Sequence, residues 1–379
     1  LVKVACIRCD NYEVEQVNNA VKKGFDLIGG HKIFLEGEKI ILKPNLLAPE
    51  PPEKCVTTHP YVFQAVGNVL KDCGVKLSYG DSPALGSPEK AAKKTGIKAV
   101  ADQLGMKLAD FESGKECSFL EGQQNKIFTI ANGVLESDGL VSISKLKTHG
   151  LTAMTGAIKN QFGCIPGLLK GEFHVRLPQV NEFARMLVDL NMLLNPRLYI
   201  MDGIMAMEGN GPRGGTPRPM NVILLSTDPV ALDSCVCRLI GIRPEVNPLL
   251  IWGERHGLGK YRAEEIDIVG DSLDEFVQNN FNQANKSIAF NLTQSRLRNH
   301  VISRPEIKNE NCIKCGICIK MCPVKPSAVD WQEEEKSLPP LYYYDRCIRC
   351  YCCQELCPEG AIELKMPLLG KVFSKFMRR

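Results

Sequence analysis

The sequence predicts an α/β fold: a mostly parallel sheet covered by helices on both faces, followed by a small cysteine-rich α+β domain. Three observations lead there. Over about the first 270 residues, strand-like and helix-like segments alternate, the order that builds parallel sheets through crossover helices. Strand-like runs such as "RLYIMDGI" and "NVILLSTDP" are apolar almost throughout, as strands buried on both faces are. Beyond them, nine of the seventeen cysteines crowd into Cys312–Cys357.

The elements follow in order. "VKVACIR" and "KIILKPNLL" read as strands, with a helix over "VEQVNNAVKKGFDLI" between them. "YVFQAVGNVLKDCG" is a helix stopped by Gly74, and "VKLSYGDSP" is a strand running into a turn. "SPEKAAKKTGIKAVADQLG" opens on Ser-Pro and closes on glycine, the punctuation of one helix. "DGLVSISKLKTH" is a strand and "AMTGAIKNQFG" a helix. In "VNEFARMLVDLNMLLNP" the apolar residues Val180, Phe183, Leu187, Leu190 and Leu194 recur on one helical face. After the two buried strands, "PVALDSCVCRLIGI" is a helix with proline at its start, and "RAEEIDIVGDSLDEFVQ" closes the domain. The expected division is an α/β domain over 1–278, a polar connector over 279–308, a cysteine-rich domain over 309–364 and a basic tail over 365–379.

Hydrophobic residues make up 44% and charged residues 24%, enough for a sizeable core in a soluble protein. A net charge of +4 gives no reason to expect a nucleic-acid partner. No apolar run is long enough to cross a bilayer, and "LVKVACIRCD" lacks the pattern of a secretory signal, so the expected address is the cytoplasm.

"CIKCGICIKMCP" and "CIRCYCCQELCP" each read C-x2-C-x2-C-x3-C-P. Thiolates are soft ligands for iron, and so short a loop wraps three of them around one cubane. The segment from about Asn309 to Leu364 resembles a bacterial two-cluster ferredoxin. In that arrangement each copy lends its last cysteine to the other cluster. The resemblance therefore implies one 4Fe–4S site from Cys312, Cys315, Cys318 and Cys357, and a second from Cys347, Cys350, Cys353 and Cys322. Cys352 falls outside the pattern. The competing interpretation, paired structural zinc sites, lacks a reason for the two terminal prolines.

Ligands of open α/β sheets bind beyond the carboxyl ends of strands. Lys43 and Asn45 follow one predicted strand, Asp81 another, and Lys145, Lys147 and His149 a third. From Leu140 to Arg176 five basic residues face one acid, so the charge of the whole chain is matched within this stretch. The expected consequence is an anionic small-molecule substrate, with Lys147, His149 and Lys159 as catalytic groups and Lys43, Asn45, Asp81, Lys145 and Asn160 binding it. In "MEGNGPRGGTPRP", Gly209 and Gly211 would let backbone amides approach an anion beside Arg213. Neither a flavin nor a divalent cation has a motif of its own.

"KPNLL", "GDSP", "SISKLKTH", "TGAIKN" and "DGI" with "EGNGPRGG" together resemble the domain of unknown function 362 family over about Val2 to Gly270. Members of that family are often fused to a two-cluster ferredoxin segment. Three functions follow. The first is a reductase that takes low-potential electrons from ferredoxin or a similar donor. The second is an electron-transfer subunit whose α/β domain docks a partner or cofactor. The third is a metal- or cofactor-handling protein, with Asp81, Asp202, Glu208 and Asp228 holding a cation. The tail, "KMPLLGKVFSKFMRR", has the spacing of a basic amphipathic helix. Docking of that helix on the protein itself is the expectation, with a membrane surface as the alternative.

Overall fold

The computed structural model describes residues 1–284, 298–332 and 336–371. Its strands are β1 (Val2–Arg8), β2 (Lys39–Pro44), β3 (Lys76–Tyr79), β4 (Lys107–Leu108), β5 (Gly114–Ser118), β6 (Ile127–Ala131), β7 (Gly139–His149), β8 (Ala153–Thr155), β9 (Leu198–Glu208), β10 (Thr216–Ser226), β11 (Ile266–Gly270), β12 (Arg304–Ile307), β13 (Val329–Asp330), β14 (Leu341–Tyr342) and β15 (Ile362–Lys365).

The main sheet runs β11-β1-β10-β9-β7-β2-β3-β4, with β8 on the end of β7. Pairing is parallel except where β10 meets β1 and β9 and where β8 meets β7. The sheet is thus mostly parallel, as its apolar strands predict. Alternation within β2 shows why both faces need cover. Ile41 packs in one core with the helices Val180–Leu194 and Pro229–Leu239. Ile40 and Leu42 pack in the other with Val14–Leu27 and Pro60–Lys71.

Caps set several helix starts. Asp228 accepts from the amides of Val230 and Ala231, and Ser87 from that of Lys90. The single helix expected after Ser87 is two, Pro88–Lys94 and Ile97–Gln103, because Gly96 between them takes φ +81°. The stretch expected as one helix from Ala153 is strand β8, then a short helix Ala157–Asn160 and a 3-10 turn Gln161–Cys164.

The longest departure concerns β7. The strand expected over "DGLVSISKLKTH" is β7, so Lys145, Lys147 and His149 lie inside it and not beyond its carboxyl end, where the expected site places them. Its far half is paired on one side by β9 (Lys145 beside Asp202) and on the other by β8 (Lys147 beside Thr155). The cysteine-rich module reaches back into the expected connector, since β12 pairs antiparallel with β15. Of the tail, only residues up to Lys371 are described; the expected helical face at Val372, Phe373 and Phe376 lies outside the described residues.

Candidate functional site

A cavity of about 570 Å3 opens where the carboxyl ends of β2 and β3 meet the cysteine-rich module. Lys43, Asn45, Asp81, Lys159 and Asn160 line its α/β side, and Lys320, Cys322, Cys352 and Glu355 its other side. Such a volume suits a small organic ligand.

The α/β wall is built by cross-bonding. Lys43, fully buried, pairs with Asp81 Oδ1 at 2.8 Å and donates to Asn160 Oδ1 at 3.1 Å. The same Asn160 oxygen accepts from Asn45 Nδ2 at 3.2 Å. The Asn160 amide nitrogen donates to Ser142 Oγ at 2.9 Å, which fixes the direction of the side chain. Asp81 Oδ2 accepts from the Leu46 amide at 2.7 Å. Gly163 closes this wall: a Cβ there would stand 1.9 Å from Asp81 Oδ1.

Lys159 differs from its neighbours. Its Nζ has no hydrogen-bond or ion-pair partner among the described residues and lies 5.9 Å from the centre of the Phe162 ring. Burial pushes its ammonium below the ordinary lysine value, opposed by the nearby Glu355 carboxylate. Lys170, also on the wall, donates to Ser82 Oγ at 2.7 Å, and burial pushes it down to about 8.

Lys145, Lys147 and His149 do not line the cavity. Lys145 pairs with Asp202 at 2.9 Å and donates to Tyr12 Oη at 2.7 Å. Lys147 is sealed behind Asn45, donating to its Oδ1 at 2.7 Å and to Val56 O at 2.6 Å. Burial, with Lys159 and Lys145 nearby, pushes it well below the ordinary value. His149 Nδ1 accepts from the amides of Leu151 and Thr152 at 3.0 and 3.2 Å. That nitrogen is therefore unprotonated, and the ring proton sits on Nε2, 2.7 Å from Glu355 Oε1. Burial alone would raise the Glu355 carboxyl, but His149 and Lys159 beside it hold it well below the usual range.

Gly209, Gly211 and Arg213 are also off the cavity wall. They belong to the joint between the sheet and the cysteine-rich module. Arg213 Nε donates to Glu50 at 2.9 Å and Nη1 to Leu356 O at 2.6 Å. Gln354 Nε2 donates to Gly211 O at 3.0 Å, and Asn210 Nδ2 to Ile362 O at 3.0 Å. The Gly209 carbonyl accepts from Thr148 Oγ1 at 3.0 Å. The glycines serve close approach between segments: a Cβ on Gly214 would stand 2.7 Å from Gly360 Cα.

The acids considered for a cation are dispersed. Asp202 pairs with Lys145, Asp81 with Lys43, Glu208 accepts from the Asn282 amide, and Asp228 caps a helix.

The eight motif cysteines ring two small voids. Cys312, Cys315, Cys318 and Cys357 line one, and Cys322, Cys347, Cys350 and Cys353 the other. No group of His, Cys, Asp or Glu among the described residues closes on a single ion. Four thiols around a void suit a cubane better than one tetrahedral ion. The sulfurs of Cys322 and Cys357 each receive a backbone amide, from Ala328 at 3.4 Å and from Ala361 at 3.2 Å, the kind of bond that tunes a cluster's sulfurs. Both loops bend through left-handed residues at matching positions, Lys314 and Gly316 in one, Arg349 and Tyr351 in the other. The two sets differ in depth. Cys315 is exposed, whereas Cys322, Cys347, Cys350 and Cys353 are all buried.

The family model for a domain of unknown function (DUF362) matches residues 40–238. The chain belongs to the DUF362 family. A 4Fe–4S dicluster domain matches residues 311–361, so this DUF362 protein carries an iron–sulfur, electron-transferring module. A thylakoid-associated protein of Synechocystis sp. is 32% identical over 263 residues, covering 69% of this chain and 81% of that one. Among solved structures, the lactate racemase apoprotein from Thermoanaerobacterium thermosaccharolyticum aligns at 12% identity with a TM-score of 0.40. That alignment covers 61% of this chain and 55% of the racemase, so the chain spans little more than half of that structure. No helix among the described residues is long and apolar enough to cross a membrane.

His174, like Glu355, was not singled out from the sequence. It lines the cavity from the helix Leu169–Arg176, 6% exposed, stacked on Phe183. A lone histidine in "LLKGEFHVR" has no partner at a fixed spacing, so no sequence pattern marks it.

Proposed function

We propose that this DUF362 protein is an iron–sulfur oxidoreductase that holds two 4Fe–4S clusters and delivers low-potential electrons to an anionic organic substrate in the cavity. The observation that carries the reading is that Cys322, from the buried thiol set, stands on the same cavity wall system as Lys43, Asp81, Lys159 and Asn160. Clusters of this type supply one-electron transfer at low potential when bound. The chain's own residues do the rest. Lys159 offers an unpaired ammonium to an anion, and Lys170 a second cation at neutral pH. The Lys43–Asp81–Asn160 network keeps that wall rigid. The cysteine-rich module supplies the facing wall, with Cys322, Cys352 and Glu355. The other thiol set reaches the surface at Cys315, where ferredoxin or a similar donor would approach. A cytoplasmic address goes with such a donor. The thylakoid association of the Synechocystis relative adds a membrane surface as a place to look for it.

The test uses anaerobic holoprotein reduced with dithionite and offered a panel of organic anions. Reoxidation of the cluster absorption by one of them, with formation of its reduced product, is the expected result. If no anion reoxidises the protein while it still passes electrons to a second carrier, it is an electron-transfer subunit instead.

A further inference from the structure

The cavity is uneven in a way that restricts what fits it. Away from solvent its wall carries three cations, Lys43, Lys159 and Lys170, against two carboxylates, Asp81 and Glu355, while the exposed Lys320 and Lys325 stand at its solvent-facing rim. Lys43 and Asp81 neutralise one another, and Arg176 at the edge is paired with Glu172 at 3.0 Å. What remains in the part away from solvent is one positive charge, and the ammonium there without a polar partner among the described residues is Lys159.

Beside it stands His174. Its ring is clamped by Phe183, stacked at 4.7 Å, and by the edge-to-face contact with Phe162 at 5.8 Å. Its Nδ1 is buried with no hydrogen-bond partner. An unpaired polar atom in so buried a ring needs a reason. Burial holds the imidazole neutral at physiological pH, pushed down to about 4, so it offers a hydrogen bond without adding charge. Leu47, Phe162, Val175, Met321 and Pro323 give the wall an apolar face, and Leu168 at the edge is 79% exposed.

We propose that the cavity takes a monocarboxylate with a flat apolar body, its carboxylate held between Lys159 and His174 and its body lying along Phe162, Leu168 and Met321. The proposal rests on the reading that this cavity is the ligand site. One unpaired ammonium and one neutral hydrogen-bonding ring match a single carboxylate. Away from the rim lysines a phosphate dianion would leave a charge unmatched, and a small polar acid would leave the apolar face wet. His174 would set specificity by fixing where the carboxylate sits.

Isothermal titration of the oxidised, anaerobic holoprotein tests this with three probes: 2-naphthoate, its neutral counterpart 2-naphthalenemethanol, and inorganic phosphate. Naphthoate should bind roughly ten-fold or more tighter than the alcohol, the effect of one charged hydrogen bond. Phosphate should bind more weakly than either. Lys159→Met should bring naphthoate down to the affinity of the alcohol. His174→Phe keeps the stack on Phe183 and removes the nitrogens. It should lose several-fold in naphthoate affinity with the alcohol unchanged, at wild-type iron content. Equal affinity for naphthoate and alcohol, tighter phosphate binding, or undiminished discrimination in both variants would overturn the proposal. Because no electron donor is present, these outcomes are separate from the turnover test above. Tight naphthoate binding in a protein that never reduces an anion would sink the reductase reading and leave this one standing.

Discussion

Lys170 carries a titration that can be read from outside. It is faced by Asp81, Lys43 and Cys164, and burial brings it from 10.5 to about 8. Burial pushes the Cys164 thiol up to about 12, so it stays neutral across the range that matters. Between about pH 8 and 10.5 the unfolded chain holds a proton that the folded chain has released. Stability contributed by Lys170 therefore rises with pH across that window. Urea midpoints of wild type minus those of Lys170→Met should climb from pH 8 to 10. Affinity of the cavity for an organic anion should fall over the same range, as one cation is lost. Tyr351 is a second residue with a readable role. It holds φ +62°, where its counterpart in the first loop is Gly316, and its hydroxyl donates to Ser303 O at 2.9 Å. Tyr351→Phe should cost about 1 kcal/mol in denaturant unfolding, the worth of one buried hydrogen bond.

The short helix Ala157–Asn160 is the element on which the cavity depends, since it presents both Lys159 and Asn160. Asp233 on a neighbouring helix receives its first two amides, Ala157 at 2.6 Å and Ile158 at 3.1 Å. Gly156 allows that approach, because a Cβ there would lie 2.2 Å from the Asp233 carboxylate. Gly156→Ala should destabilise the fold by roughly 1–3 kcal/mol. It should also weaken anion binding while leaving iron content unchanged. Little of this could be read beforehand. Strand and helix alternation, and cysteine spacing, are local properties, so the sheet and the thiol sets were legible. The polar residues Lys43, Asn45, Asp81, Lys159 and Asn160 could be named from predicted strand ends and a charged stretch. Their convergence was not visible, because Lys43 and Asn160 meet only through the pairing of β2 with β7. The burial of Lys147 and His149 was also hidden: β8 and β9 flank β7 well past the point where its apolar run stops. Gly209 to Arg213 has the composition of an anion loop, and composition does not reveal that a second module lies against it.

At the scale of the whole molecule, the joint and the two thiol sets give three further predictions. Arg213→Ala would leave the buried Glu50 with only Lys54, at 3.1 Å, as an ionic partner. A loss of roughly 3 kcal/mol is expected, seen as a lower denaturation midpoint and faster proteolysis near the joint. Reconstituted protein should hold about eight iron and about eight inorganic sulfide per chain, as two complete cubane ligand sets require. Chelation under oxidising conditions should remove the surface set first, because Cys315 is exposed and the set containing Cys322 is not. Loss of both sets at one rate, followed by iron release and absorbance, would contradict that difference in protection.

The contact of Gly214 with Gly360 has a meaning for exchange between proteins. A Cβ on Gly360 would stand 3.0 Å from Gly214 Cα, so two backbones touch there with no side chain between them. A ferredoxin segment grafted from elsewhere would need its own glycine just after the last cysteine-proline pair to seat on this sheet. Chimeras with alanine at that position should fold as two separate pieces, whereas those that keep glycine should run as one body in small-angle scattering. Two α-carbons thereby set a compatibility rule for engineered joints of this kind.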